Sequence, residues 1–215
     1  MAKKERVKFS RAFWVANSVE LLERAAYYGV FIVITLYLSR ILGFNDMQAA
    51  VLAGSFSAGL YLLPTFAGAV ADKIGFKRSL IIAFSLLSIG YLGMGVLPTM
   101  LESAGLVEYT KTTQFNGLRE SNYKWIIIPI MIVIMIGGSF IKSCITGTVA
   151  RETNEKTRAQ GYSIFYMMVN IGAFSGKTIV KPLRDAMGNE GLVTLNYFAG
   201  GLTLLAVVLV YFFYN

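Results

Sequence analysis

The chain has 215 residues, 55% of them hydrophobic and 15% charged, with a mean hydropathy of +0.59. Soluble domains carry about 25% charged residues, so this composition points away from them and toward a membrane protein. The absence of histidine and the single cysteine, Cys144, exclude an intrachain disulfide, Ser-His-Asp and Cys-His catalysis and His-ligated metals, and the net charge of +8 reads first as a topology signal rather than as nucleic-acid binding.

A bilayer-crossing helix needs about 20 mostly apolar residues. Six stretches qualify as spans, at about 12–42, 47–71, 78–98, 125–149, 159–181 and 191–214. The expected fold is therefore an all-α membrane protein of six transmembrane helices. The first span is longer than a bilayer requires, so it should tilt or project. It is not a signal peptide, because its apolar stretch is too long, holds three charges and precedes no small-residue cleavage site. Connections are short except for a polar loop over residues 99–124.

Six spans put both ends of the chain on one side. With the N-terminus in the cytoplasm, the cytoplasmic segments hold Lys3, Lys4, Arg6, Lys8, Arg11, Lys73, Lys77, Arg78, Arg151, Lys156 and Arg158. The other side holds Arg40, Lys111, Arg119, Lys124, Lys181 and Arg184. Positive charge concentrates on cytoplasmic loops, so this orientation is expected. Arg24, Lys142 and Lys177 remain inside spans. Small residues in span 2 (Gly54, Ala58, Gly59, Ala67, Gly68), span 3 (Gly90, Gly93, Gly95) and span 5 (Gly172, Gly176) suit close helix packing.

Ionisable groups within a span are costly and normally face a cavity or a partner. Span 1 places Glu20, Glu23, Arg24, Tyr27 and Tyr28 at helical spacings that share a face about 140° wide. Counted from the nearest cytoplasmic charge at ~1.5 Å per residue, Glu20, Glu23, Tyr61, Lys142 and Asn170 all fall about 14–18 Å deep, near the middle of a ~30 Å core. Four spans thus place polar groups at one level, as a solute pathway requires. Two carboxylates facing two cations balance in charge, whereas a lone buried charge does not. Protonating one carboxylate would leave a cation free for a substrate anion. Ser143 beside Lys142 suggests a Ser–Lys dyad, but adjacent helical residues do not face one another, so no enzyme is expected.

These residues carry a resemblance. Glu20-Leu-Leu-Glu23-Arg24 followed by Tyr27-Tyr28-Gly29 resembles the ExxER…YYG signature of proton-coupled oligopeptide transporters, within the major facilitator superfamily. The stretch from Phe165-Tyr166 to Asn170-Ile-Gly172 is similar to that family's FYxxIN-G signature, and Asp72-Lys73-Ile-Gly75-Phe-Lys77-Arg78 resembles the superfamily's loop between spans 2 and 3. The resemblance implies proton-coupled symport of di- and tripeptides, with no cofactor and with protons as the coupling ion. Glu20, Glu23, Arg24 and Lys142 would couple proton binding to transport. Arg24 and Lys142 would hold the peptide carboxylate, Tyr27, Tyr28, Tyr61 and Asn170 would line the pocket, and Asp72, Lys73 and Arg78 would serve a cytoplasmic gate.

Three kinds of departure stand out, in motif residues, in an additional lysine and in length. Ser143-Cys144 replaces the family's Pro-Asn after the span 4 lysine, and Ala25 replaces an aromatic. Lys177 lies seven residues after Asn170 on about the same face, either snorkelling to the outer interface or offering a second anion contact. The third departure is length. The family has twelve helices in two halves, and this chain resembles the N-terminal half, itself a 3+3 inverted repeat. The abrupt apolar ending is expected to mark a truncation, with the other pocket wall supplied by a C-terminal six-helix half or a second chain. The expected partners are small peptides and the lipid bilayer, in the plasma membrane, with both ends of the segment cytoplasmic. Two alternatives remain: a related carrier for another solute, such as a drug or nitrate-like anion, or a structural half-domain inactive alone.

Overall fold

The structure, a computed structural model, describes residues 8–109, 118 and 121–214. Lys3, Lys4, Arg6, Lys111 and Arg119, counted in the charge asymmetry, lie outside the described residues, as does part of the expected 99–124 loop. The described residues form eight α-helices and no β-strand: α1 (Arg11–Phe31), α2 (Ile34–Arg40), α3 (Asp46–Leu62), α4 (Pro64–Ile74), α5 (Phe76–Ser103), α6 (Ile127–Arg151), α7 (Arg158–Met187) and α8 (Glu190–Phe213). A 3-10 turn, Asn122–Ile126, leads into α6.

Six unbroken spans are not what forms. Among the described residues, α5, the Asn122–Arg151 segment and α8 are each long and apolar enough to cross a membrane. The pairs α1–α2 and α3–α4 qualify only jointly, each bent by 43°, which raises the number to five. The 30-residue α7 is long enough but is not among them, its C-terminal half carrying Lys177, Lys181, Arg184 and Asp185.

The two bends have local causes. Span 2 breaks at Pro64, which has no N–H to continue the ladder and becomes the first residue of α4. Span 1 breaks where β-branched residues crowd together, at Val30, Ile32, Val33, Ile34 and Thr35, each with restricted χ1 in a helix. Beyond that break, Tyr37 pins α2 to α5 by donating its hydroxyl to the Met94 carbonyl at 2.6 Å. Met94 lies four residues before Pro98, which sits inside α5 and cannot donate to that carbonyl. The tyrosine thus fills the hydrogen bond that the proline forfeits, as a lipid-embedded helix needs.

The helix α1 is central. It packs chiefly on α7 and α8 and also touches α6, while α5 lies between α6 and α8, and α3 and α4 rest on α6. The α1–α7 crossing is backbone on backbone. A Cβ on Gly172 would run into the Leu21 carbonyl and Arg24 Cβ, and one on Gly176 into the Ala25 carbonyl. The closest approach of the two helices therefore falls at the Glu–Arg motif. Small residues elsewhere act less uniformly: Gly59 faces Met135, Gly90 faces Ile134 and Gly95 faces Tyr197, while Gly54 faces open space. Between α5 and α8, Ser88 donates to Thr203 at 3.0 Å in the buried interior.

Candidate functional site

Because α1 is hemmed in by α7, α8 and α6, the polar face of its middle turns is forced inward. Glu20 and Glu23 are both buried, while the Arg24 side chain retains 25% of its exposure. Both carboxylates converge on one atom of the arginine. Arg24 Nε donates to Glu23 Oε2 and lies 3.3 Å from Glu20 Oε1. The Nη groups of Arg24 donate no hydrogen bond among the described residues, so the forked end of the guanidinium is uncommitted. The second oxygen of Glu20, Oε2, is buried and accepts none. Two carboxylates thus share one guanidinium in a poorly solvated place, and both ionised they would leave one net negative charge.

The aromatic part of the site continues up α1. The Arg24 guanidinium lies 5.3 Å from the Tyr27 ring centroid, a cation–π distance, and Tyr27 stacks on Phe31 at 5.0 Å and meets Tyr28 edge-on at 5.1 Å. Lys177 reaches across from α7 and sets its ammonium 4.7 Å from the Tyr28 ring centroid.

Lys142 is exposed on α6 and within electrostatic reach of Glu20, yet it forms no ion pair within 4 Å among the described residues. The charge-balanced cluster read from the sequence is thus a tight trio with a second cation held apart. Asn170 is exposed, on the α7 turn beside the Gly172–Arg24 contact. Tyr61 is 72% exposed. It follows Leu60, which lies against Gly138 one turn before Lys142, and it is within electrostatic reach of Tyr27. It therefore stands near Tyr27, which is itself within electrostatic reach of Glu23 and Arg24.

Of the residues expected at a gate, Asp72 and Lys73 lie at the end of α4 and Arg78 in the first turn of α5. Gly75, at φ +89°, is the single residue joining α4 to α5, a left-handed conformation that favours glycine. Asp72 faces Arg151 at 3.8 Å, both well exposed, and the Arg151 guanidinium also sits 4.1 Å from the centroid of Phe76. Lys73 and Arg78 are exposed. Arg151 entered the sequence reading only as a topology charge, although it is the residue that ties this loop to α6. Tyr91 on α5 was also overlooked. It is buried within electrostatic reach of Glu23 and Arg24, and a count from Arg78, thirteen residues or about 20 Å, sets it just beyond the polar layer read from the sequence.

The family model described as Major Facilitator Superfamily matches residues 17–215. The chain belongs to the major facilitator superfamily. That makes it part of a transporter superfamily rather than an enzyme family. Within the superfamily, its relatives agree with the oligopeptide-transporter resemblance carried by the motifs. It is 29% identical over 206 residues to dipeptide and tripeptide permease B of Salmonella typhimurium, covering 94% of this chain and 36% of the permease. Against dipeptide and tripeptide permease A of Pectobacterium carotovorum it is 29% identical over 201 residues, covering 92% and 35%. A solved structure reported for substrate recognition in proton dependent oligopeptide transporters superposes with a TM-score of 0.72 at 25% identity, covering 92% of this chain and 40% of that one. The crystal structure of tetrameric PepTSo2 gives a TM-score of 0.70 at 25% identity, covering 94% and 40%. The chain thus spans about a third of the length of the curated relatives it matches.

Proposed function

We propose that this chain supplies the N-terminal half of a proton-coupled symporter of di- and tripeptides, completed by a second six-helix half. The permease names of its relatives support the substrate class. In this reading the bent pairs α1–α2 and α3–α4 each act as one span, and α7 is the remaining span, its polar face turned to the pathway. The six spans form a 3+3 repeat, with both ends of the segment cytoplasmic in the plasma membrane.

The observation that carries the mechanism is the shared Arg24 Nε. With both carboxylates ionised, the arginine is claimed by two anions and the trio is one charge negative. Binding one proton neutralises the trio and loosens the hold on the guanidinium. Its uncommitted Nη edge then meets a peptide carboxylate as a bidentate, charge-assisted pair. Lys142, near Glu20 and without an ion pair among the described residues, contributes a second positive charge to the same anion. Tyr27, Tyr28, Tyr61 and Asn170 offer hydroxyl, ring and amide groups to the peptide body. Movement of the gate follows when Asp72, Lys73 and Arg78 change their contacts with the end of α6.

The test is uptake of dialanine into liposomes holding the full-length transporter, with and without an acid-outside gradient. The expected result is accumulation only with the gradient, and its loss in Glu23→Gln and Lys142→Ala. Uptake indifferent to the gradient removes the proton coupling, and failure of dipeptides to displace the carried solute removes the peptide assignment.

A further inference from the structure

Lys177 is the one intramembrane cation that the coupling scheme leaves unused. On α7 the residues Asn170, Phe174 and Lys177 stand at i, i+4 and i+7 on an exposed stripe, while Gly172, Gly176 and Val180 face inward and are buried. The contact of Gly176 with the Ala25 backbone fixes the height of Lys177, its immediate neighbour in sequence. A lysine at that height could run outward along α7 to the interface. It instead crosses to α1 and rests over Tyr28, 4.7 Å from the ring centroid. Among the described residues no carboxylate lies within 4 Å of it. The ring face stabilises an ammonium without neutralising it. The polar face then holds Glu20 and Glu23 against Arg24, Lys142 and Lys177, one positive charge in excess.

We propose that Lys177, seated on Tyr28, is a specificity residue that selects peptides bearing an acidic side chain; this rests on the peptide reading above. Arg24 and Tyr28 are four residues apart on α1, about 6 Å along the axis. A peptide whose terminal carboxylate meets Arg24 advances about 3.5 Å per residue. An aspartate or glutamate side chain near that end therefore brings a second carboxylate to the level of Tyr28, where the Lys177 ammonium waits. A neutral side chain leaves that cation to water and the ring.

The experiment measures how well Ala-Glu and its neutral isostere Ala-Gln compete with labelled dialanine for uptake by the full-length transporter. For the wild type, Ala-Glu should compete roughly fivefold better, the scale of one partly exposed ion pair. In Lys177→Gln the two competitors should become equal while dialanine uptake persists, and Lys177→Arg should keep the preference. Equal competition in the wild type, or a preference that survives Lys177→Gln, overturns the assignment of Lys177. Failure of the wild type to carry dialanine at all overturns the peptide reading itself, a different result from the loss of selectivity.

Discussion

Arg24 is the residue on which the proposed site turns, because Glu20 and Glu23 converge on its Nε while its Nη edge makes no hydrogen bond among the described residues. A lysine keeps the charge but loses the planar fork. Arg24→Lys should therefore raise the KM for dipeptide by tenfold or more, consistent with a charged hydrogen bond of about 1.5–3 kcal/mol, while the protein still inserts and folds. Kinetics of dialanine uptake beside a thermal melt in detergent check this, and an unchanged KM would show that the fork is not the peptide contact. The Glu–Arg trio was legible in the sequence because spacings of three and four residues put Glu20, Glu23 and Arg24 on one face of any helix. The separation of Lys142 was not, since a count along α6 gives its depth but not its distance from α1. The bend at Pro64 was not legible as an angle either, since a proline marks where a helix breaks but not how far it turns.

At the scale of elements, Tyr37, Met94 and Pro98 form a unit that no single helix would reveal. Pro98 leaves the Met94 carbonyl without its helical donor, and Tyr37 supplies one from α2. Tyr37→Phe should destabilise the protein by about 1 kcal/mol in a detergent melt, and by less when Pro98→Ala returns the missing N–H. Equal costs in both backgrounds would break the link between proline and tyrosine. The approximate helix positions were readable because apolar runs end at charges. The break after Phe31 was not, since β-branched crowding weakens a helix without dictating where it bends. The gate loop was readable from Asp72 to Arg78, but its attachment through Arg151 and Phe76 depends on how α4, α5 and α6 meet.

For the molecule as a whole, a central α1 with buried carboxylates stands beside an exposed stripe on α7, and in the proposed function the two make one wall of a pathway. The superfamily match covers nearly the whole chain, yet the chain spans about a third of its curated relatives. The function proposed is therefore that of an assembly, and in that proposal Glu20, Glu23 and Arg24 on α1 are the part this chain contributes. Two transport modes separate coupling from recognition. Gradient-driven accumulation needs the proton to bind and leave, whereas exchange of labelled for unlabelled dialanine at equal pH needs only peptide binding and movement. The most direct measurement compares both modes for the full-length transporter and its Glu20→Gln/Glu23→Gln variant in liposomes. The expected result is loss of accumulation with exchange retained, because Arg24 still holds the peptide carboxylate when neither neighbour can ionise. Accumulation at the wild-type rate in that variant would contradict the assignment of Glu20 and Glu23 as the proton-coupling groups.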